Sequence, residues 1–250
     1  MIDHSSMRLG RKPAKHDPRV PHISKHMMMV QPKPACDWAA AVKSFPMLAN
    51  DKIGCCTSAA ALHLAQVWLA NASKIDWTPT DDNAIALYTA TSDYPKEDDG
   101  TTEARVLQYW KETGIQTSIG TETILFASVN PQNPDEMKLA IENFGGVYIG
   151  VALPIAAQTM SAWDMSAQGT EGAGAPGSWG GHAVCIPKYD ESVYTCVTWG
   201  NLLDITPAFI NTYCDEAYVL ISEDWLSDSG ISPPGLNWDG LMADMKAIQD

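Results

Sequence analysis

The chain has 250 residues, 45% of them apolar and 18% charged, with a formal net charge of −14. That composition belongs to a folded globular protein and excludes a disordered one. No run of about 18 apolar residues occurs, so no membrane span is predicted, and an acidic body repels both nucleic acid and anionic membrane, so neither is expected as a partner.

Residues 1–35 differ from everything after them. They hold seven Lys/Arg against two Asp, for a net of +5, while the remaining residues carry −19. Five prolines and no helical or strand periodicity predict an extended basic arm. It cannot bury enough of its own surface to offset the cost of ordering. Its order is expected to come from another subunit or from the acidic body. His4, His16, His22 and His26 fit no metal-ligand spacing, and neither metal nor cofactor is expected. The opening MIDHSSMRLGRKPAK lacks the apolar stretch of a secretory signal. The expected location is therefore the cytoplasm, or a virion if the chain leaves the cell within a larger assembly.

After Gly54 the sequence CCTSAAALHLAQVWLANASK predicts a buried helix of about 16 residues, apolar nearly all round. Further helices are predicted at 81–90, at 101–113 with Thr101 or Thr102 as N-cap and Gly114 as the stop, and at 135–143 between Pro134 and Gly145-Gly146. The character then changes. Segments 147–153, 182–190, 193–200 and 216–222 are short β-branched and aromatic runs, hence strands. Helices first and sheet second give an α+β protein with two lobes. Gly172, Gly174 and Gly177 spell GxGxxG without the flanking strand and helix of a dinucleotide site, so residues 166–181 are read as a flexible loop. In the tail, Trp238, Leu241, Met242, Met245 and Ile248 share one helical face and predict a docking helix. The expected division is an arm (1–35), a central domain (36–225) and a tail (226–250).

Six cysteines (36, 55, 56, 185, 196 and 214) read as thiols in a reducing compartment. Cys56 opens the most buried helix, where unpaired N–H groups and the helix dipole favour a thiolate. His63 lies on the same helix, about 10 Å away by helix rise, too far to act as its base. His182 follows Gly180-Gly181 and opens a strand, a position that can present an imidazole to a cleft.

These residues resemble a known family. The block Asn50-Asp51-Lys52-Ile53-Gly54-Cys55-Cys56 resembles the papain-like cysteine-peptidase block in which a Gln precedes the catalytic Cys by six residues and a Gly by two. Gly181-His182-Ala183-Val184 resembles that family's His-Ala-Val strand, and Val197-Thr198-Trp199-Gly200 its Asn-Ser-Trp-Gly block. The blocks stand in the family's order over residues 37–222, most like papain-like proteins of bacteria and their phages with a basic arm. The resemblance implies a papain-like two-lobe fold, with a helical lobe carrying the Cys helix and an antiparallel β lobe carrying the His. It makes Cys56 the nucleophile, His182 the general base, Asn50 the oxyanion-hole residue and Trp199 the shielding indole. The expected orienting Asn falls on Val197, which cannot hold an imidazole; Thr198 can, with the register slipped by one, and Thr198 or a backbone carbonyl is expected at Nδ1. Cys55 offers a competing thiol.

Two functions follow. One is a cysteine peptidase or amidase acting on a peptide or protein substrate across Cys56 and His182. The other is a structural subunit that kept the fold without turnover, contacting other subunits through the 1–35 arm and the tail helix, as in a phage virion.

Overall fold

The computed structural model of the chain describes residues 3–222, 225–226 and 235–246. A two-residue strand, β1 (Cys36–Asp37), precedes the helical lobe. That lobe consists of α1 (Cys56–Asn71), α2 (Asp81–Thr91) and α3 (Glu103–Glu112). Helix α1 is buried from Cys56 to Leu69, as its unbroken Ala/Leu pattern requires. Thr80 caps α2 through a reciprocal bond with Asn83. Thr102, rather than Thr101, caps α3 by accepting from the Arg105 N–H, which makes Glu103 its first residue.

The second lobe follows in chain order: β2 (Ile115–Thr117), β3 (Gly120–Glu122), β4 (Leu125–Ser128), α4 (Pro134–Phe144), β5 (Val147–Leu153), β6 (Gly180–Tyr189), β7 (Tyr194–Thr198), β8 (Asn201–Ile205), α5 (Pro207–Tyr213) and β9 (Cys214–Ile221). The main sheet is antiparallel, in the order β4-β9-β5-β6-β7-β8, with β1 paired to the end of β6. Strand β5 pairs on both edges and is almost wholly buried, so it reads as a continuous apolar run rather than an alternating one. Helix α1 lies against β6, which brings Cys56 to the strand carrying His182.

Strands β1, β2, β3, β4 and β8 and helix α5 were not anticipated. The segment read as one strand over 193–200 is instead β7 plus a tight turn into β8, and 166–181 is not a free loop. Gly180 and Gly181 belong to β6, Trp179 N–H bonds the Leu153 carbonyl, and the Tyr213 hydroxyl donates to the Gly174 carbonyl at 2.7 Å.

The arm lies on the body of its own chain. The His4 N–H bonds Gln158, the Pro21 carbonyl accepts from Ser128, Lys33 N–H bonds the Glu142 carboxylate, and Ile23 and Met27 are buried. Arg8 pairs with Asp98 and Lys12 with Asp99, matching basic arm to acidic body. The tail helix α6 (Trp238–Lys246) buries Leu241 and Met245 beside β4, and the Lys111 ammonium donates to the Met245 carbonyl. Ile248 lies outside the described residues. Among the described residues no helix is long and apolar enough to cross a membrane.

Candidate active site

Cys56 is the first residue of α1, and the preceding Cys55 makes no side-chain cap. The N–H groups of the first turn are therefore not satisfied from that position, a setting that attracts negative charge. The backbone N–H groups of Ala183 on β6 and Gly10 on the arm act to lower the pKa of the thiol, against its burial. Cys55 turns away, its thiol donating to the Leu48 carbonyl at 3.2 Å, and burial pushes its pKa up. It does not compete for the same space.

His182 stands next to Ala183, fully buried. Its Nε2 lies 2.9 Å from the Thr198 hydroxyl, while Nδ1 has no hydrogen-bond partner. Thr198 thus meets Nε2, and the expected contact at Nδ1 is corrected. When the hydroxyl accepts from Nε2–H, the lone pair resides on Nδ1, the form a base needs. Val197 instead pairs with Cys185 in the sheet ladder and is buried.

Trp199 stacks on His182, with ring centroids 4.4 Å apart and planes inclined by 18°. Local backbone geometry sets this up. Trp199 and Gly200 form the two-residue turn between β7 and β8, and both have positive φ, 45° and 72°. Such a turn suits the twist of a hairpin but strains any residue other than Gly, Asn or Asp. The indole is held there by its neighbours: Trp163 edge-on, Trp179 and His4 tilted against it. Trp163, Trp179 and His4 were not singled out from the sequence, where nothing distinguishes them from core aromatics or arm histidines.

Asn50 is buried in the turn leading to α1, and its amide donates to the Ile53 carbonyl at 3.4 Å. His63 is buried in the same helix as Cys56, bonded through Nε2 to the Pro46 carbonyl at 2.9 Å. It has no part in the cleft.

The cleft between the lobes is occupied by the arm. The Gly10 carbonyl accepts from Thr101, the Arg11 N–H donates to Gly181 and the Lys12 N–H to Thr101. Residues 10–12 therefore form a peptide strand hydrogen-bonded to both walls. Only glycine fits at position 10, since a Cβ there would sit 1.8 Å from the Gly54 carbonyl oxygen. In this closed form burial outweighs the helix N-terminus. It pushes the Cys56 thiol up to about 11 and the His182 imidazole down to about 3, leaving both neutral. The thiolate expected from position alone is absent while the arm is in place. Among the described residues no cluster of three or more His, Cys, Asp or Glu could hold a metal ion.

No protein-family model matches the chain, and no curated protein matches it in sequence. Its shape does have counterparts. It is similar to xylellain, a cysteine protease from Xylella fastidiosa, at 12% identity and a TM-score of 0.67, covering 88% of this chain and 97% of that one. The chain has the papain-like fold. A procathepsin B from Trypanosoma congolense superposes with a TM-score of 0.65 at 10% identity, covering 88% of each chain. The digestive procathepsin L 3 of Tenebrio molitor gives 0.59 at 14%, covering 87% of this chain and 77% of that one.

Proposed function

We propose that this papain-like chain is a cysteine peptidase or amidase held closed by its own arm. The observation that supports this reading is the strand in the cleft. A peptide is already seated between the lobes, hydrogen-bonded on both walls, with Gly10 packed against Gly54, two residues before Cys56. Two of the similar structures are themselves named as pro-forms.

Once a substrate replaces the arm, the proton of Cys56 passes to His182 Nδ1 while Thr198 holds Nε2 and Trp199 covers the ring. The thiolate attacks the carbonyl carbon, and the oxyanion is held by the Cys56 N–H and the Asn50 amide. His182 then protonates the leaving amine as the C–N bond breaks. Water, deprotonated by His182, cleaves the thioester and restores the thiol.

A second reading, a structural subunit without turnover, has one observation in its favour: thiol and imidazole are both neutral and sealed. Gly10→Leu separates the two. A side chain at position 10 cannot coexist with the Gly54 carbonyl, so the variant expels the strand. For a peptidase, iodoacetamide should then label Cys56 more than a hundredfold faster, with an apparent pKa below the ordinary thiol value, and peptide hydrolysis should appear. An opened cleft with no fast thiol between pH 5 and 9 would favour the structural subunit.

A further inference from the structure

Next to the thiol, Arg11 is buried in a pocket made of acids. Its guanidinium is 1% exposed. Nε donates to Glu216 at 2.9 Å and lies 3.5 Å from Glu103, Nη1 donates to Asp215 at 3.2 Å, and Nη2 reaches both Glu216 and Asp215. Glu103 comes from the start of α3 in one lobe, Asp215 and Glu216 from β9 in the other. Glu103 and Glu216 are buried, and neither Glu103 oxygen has a hydrogen-bond partner. The floor is Gly150 of β5, where an added Cβ would lie 2.2 Å from Arg11 Nε. The pocket is thus shaped around a flat cation and spans both lobes.

We propose that this pocket is the subsite that selects substrate, accepting an arginine side chain next to the residue that lies over Cys56. The proposal rests on the peptidase reading of the cleft. Whatever peptide replaces the arm meets the same walls. A leucine there leaves two carboxylates buried without a cation, a large penalty. A lysine brings the charge but only a point donor, whereas the three nitrogens of one planar fork bond Asp215 and Glu216 together and lie against Glu103. Arg11 on this view is a resident copy of the feature the enzyme seeks. Nothing in the sequence pointed to it, because Glu103 and the adjacent Asp215-Glu216 pair are remote from the arm and from one another along the chain.

The test uses the whole chain carrying a protease site at the exposed Lys15–His16 bond, cut after folding so that the first 15 residues can exchange. A fluorescent peptide of residues 5–15 is then displaced by unlabelled copies. The Arg11 sequence should compete at least tenfold better than Arg11→Lys and a hundredfold better than Arg11→Leu, and Asp215→Asn or Glu216→Gln in the body should narrow both gaps. Hydrolysis of acyl-dipeptide amides is measured on the same sample, with Arg, Lys or Leu beside the residue at the scissile bond, and Arg should be preferred. Equal competition by the Leu and Arg peptides overturns the subsite, as does a cut arm that excess peptide of its own sequence cannot displace. Hydrolysis without preference for Arg overturns the subsite and leaves the peptidase reading. Arg-selective binding with no hydrolysis of any peptide does the reverse.

Discussion

Of the four histidines buried among the described residues (His4, His26, His63 and His182), the last two are the most enclosed, and they are treated in opposite ways. Both rings are almost fully enclosed, and burial lowers both pKa values, to about 4 and about 3. His63 spends its Nε2 on a backbone carbonyl inside its own lobe and meets Phe45 edge-on. His182 meets a side-chain hydroxyl, lies flat under an indole in a strained turn, and keeps one nitrogen without a partner. An unpaired buried nitrogen costs free energy in a structural residue. On the peptidase reading proposed above, that free nitrogen is the one that takes the Cys56 proton.

That contrast is broken most directly by His182→Ala in the opened Gly10→Leu chain. Removing a general base should lower turnover by roughly 10²–10⁴-fold and erase the depressed pKa of Cys56 alkylation. His63→Ala in the same background should leave the alkylation profile in place and cost about 2–4 kcal/mol in urea unfolding, from the lost ring packing and hydrogen bond. Equal effects of the two on thiol reactivity would remove His182 from the site. A finer cut is Thr198→Val, which keeps the shape and deletes the hydroxyl. A hydrogen bond to the charged ring is worth about 1.5–3 kcal/mol, which is about 10–100-fold in rate. KM should change little, and Thr198→Ser should recover most of the loss. If Thr198→Val turns over normally, the imidazole is oriented by packing on Trp199 alone.

Much of this architecture was legible in the sequence where one element faces one environment. Helix α1 was visible because every face is buried. α4 was visible between its Pro134 start and its Gly145 stop, where φ is +77°. β5 was visible as a run sealed on both sides. Segments that rely on partners were not. β2 and β3 are three-residue strands with polar, largely exposed faces. β8 was hidden because Trp199-Gly200 looks like the end of a strand when it is a two-residue reversal. At the site, the resemblance to papain-like blocks placed Cys56, Asn50, His182 and Trp199 in a linear pattern, but it could not say which hydroxyl or nitrogen would meet. It also gave no hint that the basic arm enters the cleft. Charge complementarity named the right surface, yet Gly10 and Arg11 gain their meaning only from Gly54, Gly150, Glu103 and Glu216, which are far away along the chain.

The smallest effect separates the two histidines by pH alone. Each has a folded pKa below the ordinary value of 6.5, so each is neutral in the native state and takes up a proton more readily when unfolded. Their stabilising contribution is therefore complete above about pH 6.5 and is lost as pH falls toward the folded values. Between pH 7.5 and 4.5 the His63 share is about 2–3 kcal/mol, at about 1.4 kcal/mol per pKa unit. His63→Gln keeps an amide N–H for the Pro46 carbonyl and removes the titration. Its urea stability should fall by about 2–3 kcal/mol less than that of the unaltered chain over this range, the carboxylates contributing alike to both. Gly10→Leu should act on the other ring: with water admitted to the cleft, the His182 share shrinks while the His63 share stays. A His63→Gln chain that loses as much stability as its parent would mean the ring already sits protonated near pH 6. A Gly10→Leu chain whose acid loss is unchanged would mean that His182 stays sealed without the arm.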